Sequence, residues 1–420
     1  MKKPIQLFLI LAALALVSIA VASLYLYPYN PLRPPLANET NHTRSGVEAV
    51  VSSANNMAVN LYKEIARREP GNIFYAPFSV YSALAVTYEG ARGLTAEEFR
   101  SALGYPDPSI LRPNYAYLYN SLNRAEGVEL GIGNALWVQA GFDVLPEFAR
   151  VVSDFYGARA ANLDFIRDPE GSRQAINRFI EEQTRGKIKD LIPPGSINPL
   201  VRLVITNAVY FKGSWLYRFE VTMTRKAPFK TADGQTVQVD MMCMEPQEKD
   251  FMYANLSDVE VLELPYAGGR FSMVILLPKG RLEAFESQLT PELLSRILSS
   301  TKPERLDEIC IPKFELNTKY QLNQPLEDLG LKTPFTPEAD FSGIDGRRDL
   351  YISLVIHQAY VKVDEEGTEA AGATAVVIKV TAIQPNRKTF IADHPFIFLI
   401  RDNQTGLVLF MGRLANPTSG

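Results

Sequence analysis

The chain is poor in the residues from which reactive centres are built. Its 420 residues hold three histidines, two cysteines and two tryptophans. His42 lies in a polar stretch, His357 in an alternating apolar segment and His394 next to a proline, so no set is spaced as metal ligands are. There is no HExxH, CxxC, G-x-S-x-G or Gly-rich phosphate loop. No pair of carboxylates is marked out as acid and base. These absences speak against an enzyme, a cofactor and a metal site. A surplus of one charge is missing too: 43 Lys and Arg stand against 47 Asp and Glu, a net −4, which argues against nucleic acid as a partner. The short basic group Arg185, Lys187 and Lys189 fits a solvated helix end. Two cysteines cannot make a disulfide-rich scaffold, and by spacing alone Cys243 and Cys310 are either a pair or two buried thiols.

Long hydrophobic runs are absent after the N-terminus. Lys2 and Lys3 precede an apolar run over residues 7–22 broken only by Ser18, the pattern of an export signal or an anchor. Residues 1–27 are therefore expected to be a signal peptide or N-terminal membrane anchor, and residues 28–45, rich in Pro, Asn and Thr, a linker. The folded part is expected over 46–420 and outside the cell, secreted or tethered to the outer face of the membrane, with contact to the membrane only through the N-terminal segment. Asn38, Asn41, Asn255 and Asn403 begin glycosylation sequons.

What is present is a change of period along the chain. Val47, Val50, Val51, Ala54, Met57, Ala58, Leu61 and Ile65 fall on one helical face. Thr95 and Glu98 have the spacing of a capping box, and further helices are expected near 146–155 and 172–183. Later the period becomes two. Residues 271–277 form an apolar run. Over 351–364, Val355, His357, Ala359, Val361 and Val363 share one face, and Gln358, Lys362 and Asp364 the other. Residues 396–400 and 407–411 flank a hairpin turn. Helices early and strands late imply an α+β fold.

One segment has no ordinary structural purpose. Glu365, Glu366, Gly367, Thr368, Glu369, Ala370, Ala371, Gly372, Ala373 and Thr374 follow a strand directly and run on through small residues. Such residues cannot anchor a core, yet in extended form Thr368, Ala370, Gly372 and Thr374 line one side. That side is small and uncharged and can pass between two strands. By composition alone, a flexible Ala/Gly linker is the competing account.

The same segment resembles the hinge of inhibitory serpins. Residues 72–79 (NIFYAPFS), 206–215 (TNAVYFKGSW), His394-Pro395-Phe396 and Phe410-Met411-Gly412-Arg413 resemble further motifs of that family in the right order, over nearly all of residues 46–419. The resemblance implies a serpin fold, with helices packed around three β-sheets and an exposed reactive-centre loop over residues 365–387. It implies that Pro77, Ser79, Asn207 and His357 form a shutter beneath the opening sheet, with Trp215 at the breach above. Ala76 departs from the family's usual Ser, removing one shutter hydroxyl. The resemblance also places Cys243 and Cys310 on neighbouring strands, where a disulfide is expected.

The implied function is inhibition of a serine-type endopeptidase by suicide: cleavage of the loop, trapping of the acyl-enzyme and insertion of the loop into the main sheet. Counting forward from Glu365 sets the reactive bond at Thr381-Ala382. A count back from Pro395 lands near Gln384, and the hinge count is adopted because insertion length sets inhibition. The small and β-branched side chains there suit an elastase-like or subtilisin-like protease. Lys379 or Arg387 would admit a trypsin-like one in a shifted register. A monomer is expected. The alternatives are a non-inhibitory serpin acting as a binding or carrier protein, and an adhesion module using the helical half.

Overall fold

The computed structural model describes residues 36–368 and 387–419. The expected signal or anchor, the linker up to residue 35, hinge residues Glu369, Ala370, Ala371, Gly372, Ala373 and Thr374, Lys379 and the bond Thr381-Ala382 lie outside the described residues. The folded body starts at Ala37, inside the stretch expected to be linker. Ala37 is buried; its N–H donates to Asn120 Oδ1 at 2.8 Å, and Asn120 Nδ2 donates to its carbonyl at 2.8 Å.

The helices lie mainly in the first half. The helix Arg44–Ala66 starts where the Thr43 hydroxyl accepts the N–H of Gly46 at 3.0 Å, and its apolar face is buried as the periodicity predicts. Pro77–Gly90 is buried on every side and runs through the middle of the body, as an all-round apolar helix must. Thr95 and Glu98 do not cap: their helix, Gly93–Leu103, begins earlier. Both are spent on tertiary contacts. Thr95 Oγ1 accepts the N–H of Asp340 at 2.8 Å, and the Glu98 carboxylate accepts those of Lys332 and Thr333 at 2.7 Å each. The helix expected near 172–183 spans Pro169–Gln183, since Asp168 caps it and Pro169 suits the first turn.

Three sheets carry the rest. A seven-stranded sheet contains Phe271–Pro278 and the hairpin Phe396–Asp402 and Val408–Leu414. A four-stranded sheet contains Thr236–Met244, Glu308–Pro312 and the short Thr389–Ile391. The six-stranded sheet is formed by β1 (Val128–Gln139), β2 (Arg159–Leu163), β3 (Leu203–Ser214), β4 (Phe314–Gln321), β5 (Ile352–Asp364) and β6 (Gly367–Thr368). Its order is β4-β5-β6-β3-β1-β2. β5 also pairs directly and in parallel with β3, from Ile352 opposite Leu203 to Tyr360 opposite Tyr210. The β3–β5 seam is the feature that positions the site.

A core lies on each face of this sheet. Val355, His357, Ala359, Val361 and Val363 turn into the main core. On the other face, Ile176 and Ile180 of the helix Pro169–Gln183, with Ile188, Leu191 and Ile192 of the segment that follows, pack on Trp137, Val204, Ala208 and Ile356. Asn177 fastens that segment, accepting the N–H of Ile192 at 2.8 Å and donating to its carbonyl at 3.0 Å. Gln358 is buried beneath this cover.

Candidate functional site: the seam between β3 and β5

The lower seam is closed by a polar network in an apolar surround. His357 and Asn207 stand opposite each other on β5 and β3. The backbone N–H of Ala76 donates to His357 Nε2 at 3.0 Å. Nε2 is thus the acceptor, and the ring proton sits on Nδ1, facing Asn207 Oδ1 at 2.5 Å. Asn207 Nδ2 donates to Ser79 Oγ and to Asn134 Oδ1. Ser79 Oγ donates to Asn134 Oδ1 at 3.1 Å. Burial disfavours an imidazolium and pushes the His357 pKa down to about 3, so the ring is neutral at physiological pH. Pro77 opens the helix Pro77–Gly90 just after Ala76, which aims the Ala76 amide at the ring. The missing Ser hydroxyl leaves this contact intact because the backbone makes it. Asn134 was not anticipated. It lies opposite Asn207 across β1 and β3, and a lone amide in β1 becomes legible only once that pairing is known.

The upper seam holds the start of the hinge. β6 is antiparallel to both neighbours: Thr368 faces Val363 and Gly213, and Gly367 faces Asp364 and Ser214. A Cβ on Gly367 would lie 2.1 Å from the Gly213 carbonyl oxygen and 2.7 Å from Ser214 Cα, so this close backbone approach requires glycine. Thr368 is fully buried, its Oγ1 2.7 Å from the hydroxyl of Tyr266. Trp215 stacks on Tyr266, with ring centroids 4.7 Å apart. Its Nε1 donates to the Asp364 carbonyl and its backbone N–H to that of Glu366, both at 2.9 Å. Tyr266 escaped sequence reasoning, since nothing local marks it.

Glu365 is clamped. Lys313 Nζ donates to Oε2 and Thr224 Oγ1 to Oε1, each at 2.7 Å. Burial raises its pKa, but these hydrogen bonds outweigh burial and hold the carboxyl below its usual range. Burial keeps the neighbouring Asp364 above its usual range.

The chain returns at the edge of the four-stranded sheet, where Thr389–Ile391 runs parallel to Glu308–Pro312. Arg387 Nη2 donates to Glu245 Oε1 at 3.3 Å and to the Asp307 carbonyl at 3.2 Å. Cys243 and Cys310, buried and opposite each other on antiparallel strands, form a disulfide.

This geometry has relatives. The family model described as Serpin (serine protease inhibitor) matches residues 52–417. The chain belongs to the serpin family. It is 43% identical over 377 residues to an uncharacterized serpin-like protein of Thermococcus kodakarensis, covering 88% of this chain and 86% of that one. It is 40% identical over 382 residues to the leukocyte elastase inhibitor of Bos taurus, covering 87% and 99%. Among solved structures it resembles Serpin48 of the insect Tenebrio molitor, with a TM-score of 0.79 and 33% identity over 90% of this chain and all of that one. The family is one of protease inhibitors, not of catalysts.

One expectation is corrected. The extracellular, secreted or membrane-tethered placement is overturned by the match to leukocyte elastase inhibitors and archaeal serpin-like proteins. No helix among the described residues is long and apolar enough to cross a membrane. The error has a physical source: a 16-residue apolar run after two lysines satisfies a hydropathy pattern, and such a pattern alone does not fix a destination.

Proposed function

We propose that this serpin is a suicide inhibitor of a serine protease, acting as a monomer by insertion of its cleaved loop between β3 and β5. The observation that carries this reading is β6, two hinge residues already paired to both strands above a seam that is otherwise closed. Continued in the β6 register, the strand would bring Ala370 opposite Val361 and Phe211, and Gly372 opposite Ala359 and Val209. Thr374 would reach His357 and Asn207, and Ile378 would reach Leu203, the first residue of β3. Every inward position must be small, because Phe211 and Val361 are already packed in the core. At the shutter, a hydroxyl that both donates and accepts can take the place of the His357–Asn207 bond it separates. A bond at Thr381-Ala382 would then lie three residues beyond the start of β3, carrying an acylated protease to the far end of the sheet. The small residues around that bond and the kinship with leukocyte elastase inhibitors favour an elastase-like target, with subtilisin-like enzymes next.

The test is incubation with pancreatic elastase, subtilisin and trypsin. The expected result is a denaturant-stable covalent complex with one of the first two, a released peptide beginning at Ala382, and a large rise in melting temperature of the cleaved inhibitor. Ala370→Asp should turn it into a plain substrate, since an unpaired charge would be buried. Quantitative cleavage with no complex and no rise in melting temperature would sink the proposal in favour of a binding or carrier role.

A further inference from the structure

Two glutamates oppose each other at the edge of the four-stranded sheet. Cys310 faces Cys243 and Ile309 faces Met244 across the antiparallel strands, and one step further the same register sets Glu308 opposite Glu245. Like charges in that arrangement destabilise a strand pair. A guanidinium lies at this pair. Arg387 reaches Glu245 Oε1 at 3.3 Å through Nη2 and Glu308 Oε2 at 3.9 Å through Nη1. Arg225 takes the other oxygen of Glu308 at 3.2 Å. Two residues inside, the Cys243–Cys310 disulfide ties the same two strands together, so the two backbones cannot separate to relieve the repulsion.

Arg387 opens the return strand. Lys388 N–H donates to Asp307 Oδ2 at 2.6 Å, Asp307 N–H donates to the Lys388 carbonyl at 2.8 Å, and Lys388 Nζ reaches Glu304 at 2.7 Å. The hinge is moored nearby: Thr224 bonds Glu365, and the next residue, Arg225, bonds Glu308. Both ends of the reactive segment are thus held at one end of the molecule.

We propose that Glu245 and Glu308, spaced by the disulfide, form a built guanidinium socket that fastens Arg387 and thereby keeps the uncut chain from drawing its reactive segment into the six-stranded sheet. The second half of this statement rests on the proposed function; the socket itself does not. The geometry of length supports it. Ten residues inserted beyond Thr368 travel about 33 Å. The nine links from Ile378 back to Arg387 span at most about 32 Å fully extended, with nothing left for the reversal. Full insertion of the uncut chain therefore requires Arg387 to leave the socket, whereas cleavage removes the constraint.

The test compares the parent with Arg387→Gln and with the double variant Glu245→Gln/Glu308→Gln, all as full chains. Hydrogen exchange of the amides at residues 388–392 should quicken about tenfold in both. Loss of trapping capacity on storage, without cleavage, should quicken about fivefold and respond to salt. The double variant should melt no lower than the parent, because it also removes the Glu–Glu repulsion; an ordinary structural salt bridge would not give that combination. Cys310→Ser should loosen the return strand in the same way. Unchanged exchange at 388–392 in Arg387→Gln overturns the socket. Faster exchange in a parent that never traps a protease leaves the socket standing and overturns the proposed function instead. Faster exchange with an unchanged storage lifetime, in a parent that does trap, overturns the role in retaining the loop.

Discussion

The two ends of the β3–β5 seam are built on opposite terms. At the lower end the strands bond to each other, and His357, Asn207, Ser79, Asn134 Oδ1 and the Ala76 amide close a hydrogen-bonded network. At the upper end direct pairing has stopped, and Gly367 and Thr368 stand between the strands. The same two strands thus present a locked end and an occupied end. A buried polar network holds only while its partners stay in register, because each bond it loses leaves a desolvated group behind. The upper end depends instead on close backbone approach and a small side chain, which a following residue of similar size can continue. If the sheet opens as proposed, this difference would make it open from the β6 end downward.

The largest expected effect attacks the occupied end. Thr368→Arg places a charge against Tyr266 in a fully buried slot, where burial costs several kcal/mol. The fraction of protease trapped in a covalent complex should fall at least about tenfold while cleavage persists. Trapping at the parent level would show that the upper seam does not begin insertion.

Acid probes the locked end. The folded His357 pKa lies near 3 and the unfolded value near 6.5, so between these values the unfolded chain binds a proton that the folded chain does not. Stability contributed by the neutral ring is complete above about pH 6.5 and is lost as pH falls toward 3, at up to about 1.4 kcal/mol per pH unit. Denaturant midpoints from pH 7 to 4 should therefore fall more steeply in the parent than in His357→Gln. Parallel slopes would mean that the ring is not buried neutral.

Asn207→Ala removes the centre of the same network and leaves the His357 Nδ1–H unpartnered. A loss of about 2–3 kcal/mol in chemical denaturation is expected, with faster insertion once the loop is cut. The smallest effect belongs to the mooring of the hinge. Lys313→Met leaves the buried Glu365 carboxylate with only Thr224; about 1–2 kcal/mol should be lost, with little change in the ratio of trapping to cleavage. A large change in that ratio would move the controlling step from the seam to the Glu365 clamp.

Much of this was open to a reader of the chain. The alternation over residues 351–364 put His357 on the core face, where it is buried. Other features were hidden. The Thr95 and Glu98 spacing suggested a cap, yet both side chains serve contacts to residues over 230 positions away. Tyr266 meets Thr368 and Asn134 meets Asn207 only because distant strands lie in one register. The apolar start pointed to an extracellular protein, and kinship overturned it.

The sequence by itself determined the faces of β5, because side-chain alternation is a local property; the need for glycine at Gly367 came from the close approach of β3. Only the tertiary structure decided which groups meet across strands: the Ala76 amide with His357, Tyr266 with Thr368, and Glu245 with Glu308 around one guanidinium. Cross-strand register is set by the packing of the whole sheet, and a shift of one residue would turn each of these side chains to the opposite face.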